Sequence, residues 1–249
     1  LGRNFSLLHN VPFKIDYSYL KQPNQSSRVF QLNCFQIETP EASDKEIKSY
    51  TGTLQKIADL FHPHSLKKNV KETFNGFNAD VLKRTDGYFD GHWNMQSERY
   101  FHPNEETIRS DFKLRKPFDE SARKIAEQIS SKPQATSVHI RRGDYVSSPK
   151  VADVHGTLPL SYYEKNKKKI LEKFPDANFF IFSDDISWAK ENFPKNFPST
   201  FVSSPDITDH EELVLMSQCK NNIIANSTFS WWGAWLNRNP EKIVIAPTP

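Results

Sequence analysis

From Glu120 to Ala246 the sequence switches repeatedly between helical and strand periodicity, and that alternation restricts the possible folds more than any other feature. Ala122, Ile125, Ala126 and Ile129 recur at helical spacing within a predicted helix over 120–130, and Ser137 to Ile140 follows as a short strand. A helix over 161–173 leads to a buried strand over 178–182, and a short helix is expected over 188–193. A weak strand at 200–202, a helix at 211–219, a strand at 222–225, a helix at 229–236 and a last strand at 242–246 complete the pattern. Repeated strand–helix–strand units of this kind connect right-handedly, so a parallel sheet with helices on both faces is the expected fold class, α/β.

The first half is less regular. Strands are predicted at Val11 to Asp16, Val29 to Leu32 and Gly87 to Asp90, and a helix over 44–50. A helix over 104–112 is predicted to open on an Asn104 cap with acidic residues in its first turn. These suggest a second α/β lobe, residues 1–117, ahead of a Rossmann-like lobe, residues 118–249. Lys116-Pro117-Phe118 is the expected hinge, because proline stops the preceding helix. Leu1 to Leu8 reads as a helix entered midway, without a start methionine or cap, so both chain ends are expected to be cut.

Charge and cysteine content exclude several classes. A net charge of +3 over 249 residues is too small for nucleic-acid binding by bulk electrostatics, so any anion must be held by a local cluster. The basic run Lys165-Asn166-Lys167-Lys168-Lys169 is expected to be a solvated helix face. Cys34 and Cys219 fit neither a metal-ligand nor a redox spacing, which favours a reducing compartment. No apolar run is long enough to span a bilayer. A cytoplasmic location is expected, with peripheral association at the inner face of the membrane as the alternative.

In open parallel sheets, ligands sit beyond the carboxyl ends of the strands. Here those ends are polar. The 137–140 strand runs into Arg141-Arg142-Gly143-Asp144, the 178–182 strand into Ser183-Asp184-Asp185, and the 222–225 strand into Asn226-Ser227-Thr228. Adjacent guanidiniums suit a diphosphate, because each presents a planar fork of donors and keeps its charge. The plain alternative is a surface ion pair between one of them and Asp144. Ser227 or Thr228 can cap the 229–236 helix and turn its first N–H groups toward the crevice, a ready anion site. Asp184 and Asp185 leave two roles open, accepting from a base or ribose and capping the next helix. No Asp-x-Asp triplet occurs to bring two carboxylates to one ion, so a metal-free site is expected. His155 lies in a loop where an imidazole can act as general base or substrate contact. Trp231, Trp232 and Trp235 are expected to pack in the core, with stacking on a sugar as the alternative.

The motifs His139-Ile140-Arg141-Arg142-Gly143-Asp144-Tyr145, Phe182-Ser183-Asp184-Asp185 and Leu215-Met216-Ser217-Gln218-Cys219, the last followed by 224–236 (IANSTFSWWGAWL), together resemble glycosyltransferase family 11, the bacterial-type α-1,2-fucosyltransferases. Residues 91–100 and His155-Gly156 extend the likeness. The resemblance implies a GT-B-like fold of two Rossmann-like lobes, with GDP-β-L-fucose held by the C-terminal one. It also implies inversion at the anomeric carbon, no cofactor and no metal, with GDP-fucose as a donor substrate. By the same resemblance Arg141 and Arg142 bind the donor diphosphate, and His139 and Asp184 contact the nucleoside. Asn226, Ser227, Thr228 and Ser230 lie near the phosphates. The acceptor is expected to be a galactose-terminated oligosaccharide or glycolipid, attacked through its 2-hydroxyl. Arg141, Asp144 and His155 are the catalytic candidates, the last two as alternative bases.

Two departures stand out: the glycine-rich segment expected upstream is missing, and the chain stops at Pro249 where family members continue. Another linkage or acceptor on the same scaffold, and a catalytically silent nucleotide-sugar or glycan-binding protein, are the competing readings.

Overall fold

A computed structural model describes residues 1–21, 29–63, 66–70, 76–90, 96–147, 156–194 and 197–248. They form an α/β protein with parallel sheets, divided into two compact units, Leu1–Arg115 and Lys116–Pro249.

The first unit is built from short pieces. Strands β1 (Asn69–Val70) and β2 (Tyr88–Phe89) pair in parallel. Helices Gly2–His9, Asp44–Thr51, Thr53–Phe61 and Glu105–Asp111 accompany them, over a core that includes Phe5, Phe35, Val70, Val81, Tyr100 and Ile108. The Asp44–Thr51 helix starts on a reciprocal cap: Ser43 Oγ accepts from Glu46 N at 3.4 Å and Ser43 N donates to the Glu46 carboxylate at 2.9 Å. Two predicted strands do not form. Around Val11 to Asp16 only Ile15 makes an isolated bridge, to Glu41, where Pro12 supplies no N–H for a ladder. Near Val29 to Leu32 the backbone closes on itself as a 3₁₀ turn at Leu32–Cys34. The predicted Asn104 cap is also corrected. Its side-chain amide donates to Asn4 Oδ1 at 2.7 Å, and buried Asn4 in turn donates to the Tyr100 carbonyl at 2.7 Å. A contact across 100 residues has displaced the local one.

The second unit holds a five-stranded parallel sheet. Its strands are β3 (Ala135–Ile140), β4 (Asn178–Ser183), β5 (Ser199–Phe201), β6 (Asn221–Ile223) and β7 (Val244–Ile245), in the spatial order β5-β4-β3-β6-β7. Val138, Ile140, Phe179, Ile181 and Ile223 form one face, packed against Tyr163 and Ile170 of the Leu160–Lys173 helix and Ala189 of the Ile186–Asn192 helix. On the other face Asn222 Nδ2 donates to Ser137 Oγ at 2.7 Å and to the Met216 carbonyl at 2.9 Å, tying the sheet to the Asp209–Gln218 helix. That helix meets the Thr228–Leu236 helix where Gly233 approaches Met216 so closely that an added Cβ would lie 3.0 Å from the Met216 Cβ. A parallel sheet covered on both sides explains why β3 and β4 read as nearly continuous buried runs.

One sequence expectation is overturned inside this core. Lys165, Lys168 and Lys169 are exposed, but Lys167, four residues after Tyr163 and three before Ile170, falls on the buried stripe and is 0% exposed. Its ammonium lies 3.8 Å from the Phe197 ring centroid, 4.0 Å from Phe193 and 5.3 Å from Phe179, with no hydrogen-bond partner among the described residues. Burial pushes its pKa down to about 8.

Candidate functional site

The sheet has a topological switch point. The crossovers from β3 to β4 and from β4 to β5 run over one face, and those into β6 and β7 run over the other. A crevice therefore opens at the carboxyl ends of β3 and β6, where open α/β sheets bind ligands. Arg141 and Arg142 emerge from β3 on one side of it, and Asn226, Ser227 and Thr228 follow β6 on the other.

The register decides what the arginines touch. Ile140 is paired with Ser183, so the two residues that follow β3 continue beside Asp184 and Asp185. Arg141 Nη1 lies 3.0 Å from Asp184 Oδ2, and Arg142 Nε donates to Asp185 Oδ2 at 3.2 Å. The Arg142 backbone N–H donates to Asp184 Oδ1 at 2.8 Å. The Arg142 guanidinium also stacks 3.6 Å from the Trp188 ring centroid, and that of Arg141 lies 5.4 Å from Tyr145. Asp185 meanwhile caps the Ile186–Asn192 helix through Trp188 N at 3.2 Å, so capping and arginine binding share one carboxylate. Gly143 is needed beside this cluster, because a Cβ there would overlap the Asp184 carboxylate. Asp144 belongs to the short Gly143–Ser147 helix, but its side chain and all of His155 lie outside the described residues.

The Thr228–Leu236 helix points its start at the same crevice. Ser227 occupies the cap position in extended conformation, and its side chain makes no capping hydrogen bond. The expected hydroxyl cap is therefore not formed, and the first-turn N–H groups keep their anion-binding character. Thr228 is exposed, whereas Ser230 is buried and donates to the Ser227 carbonyl at 3.2 Å. Asn226 acts as a clasp: its Nδ2 donates to the Gly156 carbonyl at 3.2 Å, and its own carbonyl accepts from Tyr145 Oη at 2.9 Å.

Two further groups border the cluster. His139, next to last in β3, is buried with its ring 5.6 Å from Phe229, and its Nδ1 has no partner among the described residues. Burial, reinforced by the Arg141 charge, lowers its pKa to about 3, so the imidazole is neutral. Glu212 was not singled out from sequence. Burial pushes its pKa up to about 7, opposed by a hydrogen bond with Ser203 and reinforced by the charges of Asp209 and Asp184. Ser203 Oγ also accepts the Ser183 N–H at 2.9 Å, which places this acid beside the end of β4. The available signal was the doublet Glu211-Glu212. The Glu211 carboxylate is committed to the Thr208 cap at 2.8 Å, so its neighbour is the one left for other work. Among the described residues no group of three or more His, Cys, Asp or Glu side chains is arranged to hold a metal ion.

A family model described as glycosyl transferase family 11 matches residues 17–249. An O-antigen biosynthesis glycosyltransferase, WbnK, of Escherichia coli is 46% identical over 121 residues, covering 48% of this chain and 40% of that protein. An alpha-1,2-colitosyltransferase of Escherichia coli is 40% identical over 167 residues, covering 65% and 55%. Human galactoside alpha-(1,2)-fucosyltransferase 1 is 27% identical over 147 residues, covering 55% and 40%. The chain thus spans about half the length of the curated relatives it matches. Among solved structures, a crystal structure of POFUT1 in complex with GDP aligns over 57% of this chain and 49% of that one, with 14% identity and a TM-score of 0.38.

Proposed function

The chain belongs to glycosyltransferase family 11, and from that premise we propose that it transfers L-fucose from GDP-β-L-fucose, with inversion and without a metal, to the 2-hydroxyl of a terminal β-galactoside. The observation that carries this reading is the pair Arg141 and Arg142 at the switch point of the sheet, across from a helix start that the Ser227 side chain leaves uncapped. That arrangement suits a diphosphate as leaving group. As the acceptor oxygen bonds to the anomeric carbon, the bond from that carbon to the diphosphate oxygen breaks and negative charge grows on the departing phosphate. Two guanidiniums and the helix N–H groups stabilise that charge in place, with little reorganisation. The acceptor proton passes to a base, for which Asp144 and His155 are the candidates. His139 and Asp184 stand on the nucleoside side in this scheme, and Glu212 offers a carboxyl that changes protonation near neutral pH.

A second donor has a specific argument. The colitosyltransferase matches 65% of this chain at 40% identity, and colitose is fucose lacking its 3-hydroxyl. The test offers the full-length protein GDP-fucose and GDP-colitose in parallel, with a panel of β-galactosides and no added metal. GDP release and product linkage are followed by NMR. An α-1,2 product from GDP-fucose is the expected result, a product from GDP-colitose alone transfers the reading to that donor, and GDP binding without any turnover would leave only a binding protein.

A further inference from the structure

Arg141 and Arg142 leave the same strand end, yet they are held in different ways. Arg141 commits a terminal nitrogen to Asp184, Nη1 to Oδ2 at 3.0 Å, and its guanidinium stands 5.4 Å from the Tyr145 ring. Arg142 commits Nε instead, which donates to Asp185 Oδ2 at 3.2 Å, and its guanidinium carbon lies 3.6 Å from the centroid of the Trp188 ring. At that separation a nitrogen turned toward the ring would overlap it, so the guanidinium lies flat on the indole. Among the described residues the two terminal nitrogens of Arg142 make no hydrogen bond. The terminal fork, the part of an arginine that matches two phosphate oxygens, is left open.

One residue produces this arrangement twice over. The backbone N–H of Trp188 donates to Asp185 Oδ1 at 3.2 Å, capping the Ile186–Asn192 helix, and so fixes the carboxylate whose other oxygen holds Arg142 Nε. The Trp188 side chain supplies the face on which the guanidinium rests, and is itself packed against the sheet core. Arg142 is thus held at Nε and across its plane, and at neither nitrogen of the fork. Its side chain is 19% exposed, so the stack is largely out of water, where an aromatic face attracts a cation most strongly. A mobile arginine gives up rotamer freedom when it grips a phosphate, whereas one already seated has little left to lose. We infer that Trp188 is a positioning residue for Arg142, holding its terminal fork open and oriented for a diphosphate before the ligand arrives. The inference rests on the reading above, in which the arginine pair binds the diphosphate of the donor.

The test is a double-mutant cycle on the full-length protein, with GDP titrated by calorimetry into wild type, Trp188→Leu, Arg142→Ala and the double variant. Leucine keeps apolar bulk against the core but offers no π face. Arg142→Ala is expected to weaken GDP binding about tenfold or more and Trp188→Leu about fivefold. Adding Trp188→Leu to Arg142→Ala should weaken it by less than about twofold further, because the ring acts through the arginine. Trp188→Phe, which keeps an aromatic face, should recover most of the affinity that the leucine variant loses. If the leucine variant departs from the wild-type circular dichroism spectrum, Trp188→Met takes its place in the cycle. No GDP binding by wild type, or wild-type affinity in Arg142→Ala, would remove the diphosphate reading and this inference with it. A weakened Arg142→Ala beside an unchanged Trp188→Leu would overturn the inference alone. So would equal losses from Trp188→Leu with and without Arg142, or a phenylalanine variant no better than the leucine one.

Discussion

Lys167→Met replaces a buried ammonium with an apolar side chain of similar length, and its consequence can be worked from the geometry. Folding takes this ammonium out of water to a place where, among the described residues, it has three phenyl rings and no hydrogen-bond acceptor. Each desolvated cation–π contact contributes about 0.5 to 2 kcal/mol to holding the ammonium there, while burial, opposed in part by the charge of Glu164, leaves the pKa lowered from 10.5 to about 8. Between those two values the unfolded chain holds a proton that the folded chain has given up, so stability rises with pH there. Below about pH 8 both states are protonated and the contribution is flat. The slope cannot exceed ~1.4 kcal/mol per pH unit for one proton, so from neutral pH to about pH 9.5 wild type should gain ~2 kcal/mol relative to the methionine variant. Cys219 acts in the opposite direction, since burial raises its pKa and stability falls once the unfolded thiol ionises. That term is common to both proteins and cancels in their difference. Urea unfolding read by tryptophan fluorescence suits the measurement, because Trp188, Trp231, Trp232 and Trp235, four of the five tryptophans, belong to the second unit. A difference between the two proteins that stays constant across this range would refute the buried, unpaired lysine.

Other perturbations address the site and the first unit. Arg141→Ala should lower donor affinity or turnover at least about tenfold, as charge-assisted hydrogen bonds contribute ~1.5–3 kcal/mol; GDP titration calorimetry and steady-state kinetics measure it. Glu212→Gln should remove a titration near pH 7 from the pH profile of GDP affinity, because the amide cannot ionise where the acid does. Asp59→Ala leaves the Lys68 and Asn69 N–H groups without their acceptor and should destabilise the first unit by about 2–4 kcal/mol in denaturant unfolding. Its carboxylate pKa is lowered: burial raises it, and the Asn69 and Lys68 N–H bonds more than reverse that. The wild-type advantage over this variant should therefore be full above the ordinary carboxylate pKa and shrink as pH falls through the lowered value.

Much of the second unit is legible in the sequence because a doubly covered parallel sheet writes itself as short apolar runs between amphipathic helices. The polar strand ends were legible for the same reason: a strand stops where Arg141, Asp184 or Asn226 cannot enter the core. Partner choice was hidden, since it depends on register. Nothing local says that Arg141 and Arg142 will face Asp184 and Asp185, forty-odd residues away, once Ile140 is set against Ser183. Lys167 was misjudged because its cage is assembled from three separate segments and a lysine in a basic run looks solvated. In the first unit, long-range bonds such as Asn4 to Tyr100 outrank local propensity, and short turns leave little periodicity to read.

The four charged side chains Arg141, Arg142, Asp184 and Asp185 sum to a formal charge of zero. Such a quartet projects almost no field beyond its own dimensions, and the chain's small net charge adds little to it. An anionic ligand gains nothing at a distance and must displace or share a carboxylate on arrival. Encounter rates with a nucleotide should therefore be insensitive to ionic strength, with selection made at contact by fit between guanidinium forks and phosphate oxygens. In a solution crowded with ions, that makes the crevice discriminating without making it sticky.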